Sequence, residues 1–75
     1  MLIAVRDNNN ELQIKDILDI DFDMKVEATT NNKYIVRINS KYIKDGEFST
    51  KQAAENEMIN IAEARNNLEN ELQNW

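Results

Sequence analysis

The chain contains no cysteine, no histidine and no proline, and only one glycine, Gly46. Without cysteine there are no disulfides and no thiol chemistry. Without cysteine and histidine together, zinc-finger sites and haem ligation are excluded as well. The missing histidine also removes the usual general base for a serine nucleophile. A lone glycine cannot build a glycine-rich phosphate loop. Long apolar runs are missing too: no segment approaches the roughly 18 residues that span a bilayer. The apolar start Met1-Leu2-Ile3-Ala4-Val5 meets Arg6 and Asp7 at once. It has no basic leader and no small-residue cleavage site, so no signal peptide is expected. These absences predict a non-enzymatic protein with no cofactor, no metal, no small-molecule ligand and no membrane partner.

What is present is short, acidic and rich in asparagine. Seventy-five residues make a single domain. A domain of this size buries only about 60% of its unfolded surface, which leaves a thin stability margin. Small domains offset this with disulfides, a metal or self-association. Only the last remains open here. The net charge of −5 argues against direct nucleic-acid binding, which needs clustered Lys and Arg. It permits a basic protein partner, and it also simply keeps a small domain soluble.

Hydrophobic periodicity predicts strands over the first two thirds of the chain. Residues 2–6 form a short run with Ile3 and Val5 on one face. Asn8-Asn9-Asn10 predicts a turn, because Asn tolerates the left-handed region and bonds to its own backbone. Residues 11–17 read both ways: Leu12 and Ile14 alternate like a strand, while Asn10 and Gln13 suggest a helical turn. Strand is preferred. Then Leu18, Ile20, Phe22, Met24, Val26 and Ala28 alternate with Asp19, Asp21, Asp23, Lys25, Glu27 and Thr29. This period of two predicts one buried and one charged face. Asn31-Asn32 predicts a hairpin, after which Tyr34, Val36, Ile38 and Tyr42 share a face. A loop of Asn31-Asn32-Lys33 sets Val26 opposite Ile38, Phe22 opposite Tyr42, Glu27 opposite Arg37 and Asp23 opposite Lys41. A loop of Thr30-Asn31-Asn32 also matches the faces but opposes Lys25 to Arg37. The first register is preferred.

Asp45-Gly46 marks a further turn, and Ser49 with Gln52 has the form of a capping box for a helix from about Thr50. No Gly or Pro interrupts it. Ala54, Met58, Ile61, Leu68, Leu72 and Trp75 recur at steps of four and three, with Arg65 in the one polar slot. That is a heptad seam. Ile59 and Ala62 widen it in the first half only, as packing on a sheet would require. A helix from Thr50 to the end would span about 38 Å, against about 27 Å for an eight-residue strand. Its last turns are expected to overhang the sheet and to offer Arg65, Leu68, Leu72 and Trp75 to a partner. Packing back over the first strand and fraying at Asn66-Asn67 are the alternatives.

The acidic residues suggest a second function. Asp19-x-Asp21-x-Asp23 lacks the Gly and Glu of a calcium loop, having Met24 and Thr30 at those places. On a strand, carboxylates two apart lie about 6.6 Å from one another. Asp16, Asp19, Asp21 and Asp23 could then imitate a row of phosphates and occupy the basic groove of a nucleic-acid-binding host protein. An ordinary solvated face is the simpler expectation.

Gly46-Glu47-Phe48-Ser49-Thr50 followed by Ala53-Ala54 resembles a pattern in small proteins of Gram-positive bacteria and their phages, of no settled activity. The resemblance implies a β-meander followed by one C-terminal helix and carries over no functional residues. Heavy use of Asn, Ile and Lys is similar to coding in A+T-rich bacteria and phages. The expected protein is therefore α+β, with a three- to four-stranded antiparallel meander over residues 1–48 and one long helix over 49–75. Its core should hold Ile3, Val5, Ile20, Phe22, Met24, Val26, Tyr34, Val36, Ile38, Met58, Ile61 and Ala62. It is expected in the bacterial cytoplasm, or in the host cell if phage-encoded, as a homodimer or bound to another protein.

Overall fold

The structure, a computed structural model, describes residues 1–39, 41–43 and 46–73, and the side chains of all of these except 42, 43 and 71–73. It is an α+β fold. Strands β1 (Leu2–Arg6), β2 (Leu12–Asp16), β3 (Asp23–Ala28), β4 (Tyr34–Ile38) and the two-residue β5 (Tyr42–Ile43) precede one helix, α1 (Lys51–Gln73). The strands lie in chain order as an antiparallel meander, and the helix packs on one face of β1 to β4. The meander and its helix are as the sequence predicts, with β5 as a short addition.

Local chemistry explains the turns. Asp7 closes the first: its Oδ1 accepts the backbone N–H groups of Asn9 and Glu11, and Asn10 sits in the left-handed region at φ 63°. Residues 11–17 resolve toward strand, with Leu12–Asp16 forming β2. Asn32 at φ 60° and Asn39 at φ 55° turn the later hairpins. Gly46, at φ 102°, takes the one left-handed position with no Cβ to strain. Asp45 lies outside the described residues.

The β3–β4 register is the one the sequence reading set aside. Met24 pairs with Ile38, Val26 with Val36 and Lys25 with Arg37. Thr29 decides it. Its N–H donates to the Lys33 carbonyl at 2.8 Å, and its Oγ1 accepts from the N–H groups of Asn31 and Lys33. The loop is therefore Thr30-Asn31-Asn32, with Asn32 at the left-handed position that such loops need. Lys25 and Arg37 do not suffer for facing each other, because Arg37 reaches diagonally to pair with Glu27. Tyr42 is not opposite Phe22; it belongs to β5 and pairs with Ile38. Asp23 finds Lys15 at 4.0 Å across β2 rather than Lys41.

The core lies between the even-numbered sheet face and the helix. Leu2, Leu12, Ile14, Met24, Val36, Ala54, Met58 and Ala62 are buried, and Phe22, Val26, Tyr34, Ile38, Phe48, Ile59 and Ile61 pack around them. Three expected core residues are not in it: Ile20 is 93% exposed and Ile3 39%, and Val5 shares the odd-numbered face of β1 with Ile3. Ile3 pairs with Lys15, and Ala4 with Ile14. Even positions of β1 therefore face the helix, and Leu2 takes the buried place assigned to Ile3.

The helix begins one residue later than its capping box suggests. Thr50, not Ser49, is the cap, its Oγ1 accepting from the Ala53 N–H at 3.1 Å. Phe48 pairs with Tyr34 through two backbone hydrogen bonds of 2.9 and 2.8 Å, which fixes where the helix leaves the sheet.

Candidate interaction surface

The residues predicted to meet a partner lie on the second half of α1. The buried stripe runs through Ala54, Glu55, Met58 and Ala62. It continues at the same spacing to Asn66 and Glu69, both half-buried. A straight helix drifts from a seven-residue repeat by about 20° per heptad. The predicted seam therefore separates from this stripe after Met58. Arg65 is exposed, with a 3.8 Å contact to Glu69, and Leu68 is 54% exposed. The side chain of Leu72, and Trp75 entirely, lie outside the described residues.

The helix overhangs the sheet less than its length implies, because it reaches the corner where β1 starts. Asn66 Oδ1 accepts the Leu2 N–H at 2.8 Å, and Asn66 Nδ2 donates to the Leu2 carbonyl at 2.9 Å. The amide thereby imitates a neighbouring strand on the outer edge of β1. Glu69 Oε2 lies 3.4 Å from the Met1 ammonium. One side of the helix end thus packs back on the first strand, while the Arg65–Leu68 side stays open.

The acidic residues do not form the expected row. Asp16 ends β2 and Asp23 begins β3, while Asp19 and Asp21 lie in the loop between them. Asp16 Oδ1 accepts the Leu18 N–H at 2.9 Å and the Met1 ammonium at 3.2 Å. Asp19 Oδ1 accepts the Asp21 N–H at 3.0 Å, and the Phe22 N–H donates to the Asp19 carbonyl. Each of these two aspartates captures the N–H two residues ahead, a local bond that competes with sheet pairing. The even spacing needed to imitate phosphates is lost. The Leu18 N–H, then the Met1 ammonium and Arg65, hold Asp16 below the usual carboxylate range against the opposing effect of desolvation.

The same turns push Leu18 and Ile20 outward, at 86% and 93% exposure, beside Ile17 at 58%. Ile17 donates its N–H to the Met1 carbonyl, so the root of this loop, the chain start and the helix end meet at one corner. All the large apolar side chains exposed among the described residues, namely Met1, Ile3, Ile17, Leu18, Ile20 and Leu68, come from β1 and the residue before it, this loop or the helix end. In the sequence the loop is hidden by an alternation that imitates a strand. Asp at two positions, each able to take the N–H two residues on, was the signal available.

Elsewhere, a cleft of about 400 Å³ opens by the first turn and the helix start, bounded by Asp7, Glu11, Lys25, Tyr34 and Lys51. Its Glu11 and Lys51 neutralise each other. Beside the helix start, Glu55 is 7% exposed. Its Oε2 lies 3.6 Å from Arg6 Nη1 and has no hydrogen bond among the described residues. No group of three or more acidic residues is placed to hold a metal among the described residues, and no described helix is long and apolar enough to cross a membrane. Comparison with known protein families, with curated proteins and with solved structures finds no match to this chain.

Proposed function

We propose that the protein is a small, non-enzymatic, cytoplasmic interaction protein that self-associates through the second half of its helix. Arg65, Leu68, Leu72 and Trp75 form the contact stripe. One observation carries the reading: Leu68 remains 54% exposed on a helix whose adjoining residues, Asn66 and Glu69, are held against β1. The helix is thus anchored where it stands, and its apolar side is presented rather than frayed. A cysteine-free domain of this size gains the support of a second copy where disulfides are unavailable.

Sedimentation equilibrium tests this. The wild-type chain should sediment as a dimer at micromolar concentration. The Leu68→Asp/Leu72→Asp variant should sediment as the 8.8 kDa monomer. A wild-type chain that stays at the monomer mass over a wide concentration range would refute the proposal.

A further inference from the structure

Among the described side chains of the helix stripe, the apolar surface is that of Leu68, on the order of 100 Å², against roughly 800 Å² per partner for a stable interface. Met1, Ile17, Leu18, Ile20 and Leu68 together expose on the order of 600 Å², close to that requirement and at the upper end of what a monomer normally leaves bare. The β2–β3 loop supplies most of that area. Charge indicates how it takes part. Pairing helix against helix in parallel at this seam brings Arg65 of one copy beside Arg65 of the other. Setting the loop of one copy on the helix of the other brings Asp19 and Asp21 toward Arg65 instead. Arg65 is exposed and its contact with Glu69 is long, at 3.8 Å.

Building on the self-association proposed above, we infer that the occupant of the apolar loop Ile17-Leu18-Asp19-Ile20 is a second copy of this chain. The loop of each protomer seats against the Arg65–Leu68 side of its partner's helix. The exchange is reciprocal, so the contact closes as a two-fold dimer and does not propagate into filaments. The loop suits this role because its shape does not depend on burial. The bonds from Asp16 and Asp19 to the N–H groups of Leu18 and Asp21 hold it before any partner arrives, which lowers the ordering cost of binding.

The absence of cysteine makes a direct test simple. Leu18→Cys and Leu68→Cys are made as separate single-cysteine chains, mixed while reduced, exchanged and then mildly oxidised. The mixed disulfide between the two variants should dominate the covalent dimers by mass. An excess of either homodimer would overturn the loop-on-helix arrangement while leaving self-association standing. A wild-type chain that sediments only as monomer, with no preferred cross-link, would remove both. As an independent reading, Leu18→Ser should raise the dimer dissociation constant at least about tenfold. An unchanged constant would exclude the loop from the interface.

Discussion

At Asp7 one carboxylate organises the whole first turn, accepting from two backbone N–H groups and from Gln13 Nε2. The Glu11 N–H bond is the largest of the effects holding its pKa below the ordinary 3.8. A depressed folded pKa contributes stability above the ordinary value, and that contribution is lost as the pH falls below it. In Asp7→Asn the loss of thermal stability between pH 4 and pH 2 should be shallower than in wild type, by circular dichroism. An identical slope would assign the acid sensitivity to other carboxylates. Residues that look alike in sequence also separate at this scale. Ile14→Ala or Met58→Ala should cost about 2–5 kcal/mol, a large part of a total that is about 5–15 kcal/mol for ordinary domains. Leu18→Ser and Ile20→Ser should stay within about 0.5 kcal/mol in the monomer. Urea unfolding below the association range distinguishes them. Equal losses at Ile14 and Leu18 would place the loop in the core after all.

Among the elements, the edge strand β1 and the helix depend on each other. Antiparallel pairing turns the odd-numbered backbone groups of β1 toward β2: the Met1 carbonyl accepts from Ile17, and the Asp7 N–H donates to Glu11. Leu2 faces the open edge, where Asn66 satisfies both its donor and its acceptor. A covered edge resists pairing with other chains. Asn66→Ala should cost about 1–3 kcal/mol by leaving these groups unpaired. It should also accelerate hydrogen exchange at the Leu2 amide; protection equal to wild type would show that water or another group replaces the clamp. At the other end, Thr50→Ala should cost about 1 kcal/mol and Ser49→Ala much less. The reverse order would move the cap back to Ser49.

For the molecule as a whole, a net charge of −5 on each copy opposes association, while the contacts proposed between copies are mainly apolar. Salt screens the long-range repulsion between the copies. Raising sodium chloride from about 50 to 500 mM, across which the Debye length falls well below 10 Å, should therefore tighten the dimer. Sedimentation velocity at each salt concentration measures this. A dimer that dissociates with added salt would mean that ion pairs, not apolar contacts, hold it together.

The helix, the antiparallel meander and the inner face of β3 and β4 were legible in the sequence. Each rests on a period of two or of about 3.6 and on local turn residues such as Asn32 and Gly46. The face of β1, the β3–β4 register and the place of Leu18 and Ile20 were not. The alternation at Leu18 and Ile20 fits a strand as well as a loop, and only the side-chain bonds of Asp16 and Asp19 break the tie. Thr29 likewise chooses between two registers that bury the same even-numbered face. Of the proposed interaction surface, spacing marks Arg65 and Leu68 on one helix side, but it cannot show that Asn66 anchors the helix beside Met1. Periodicity is a property of neighbours along the chain. Bringing residues 1, 17 and 68 to one corner requires contacts between distant segments, and those exist only once the chain has folded.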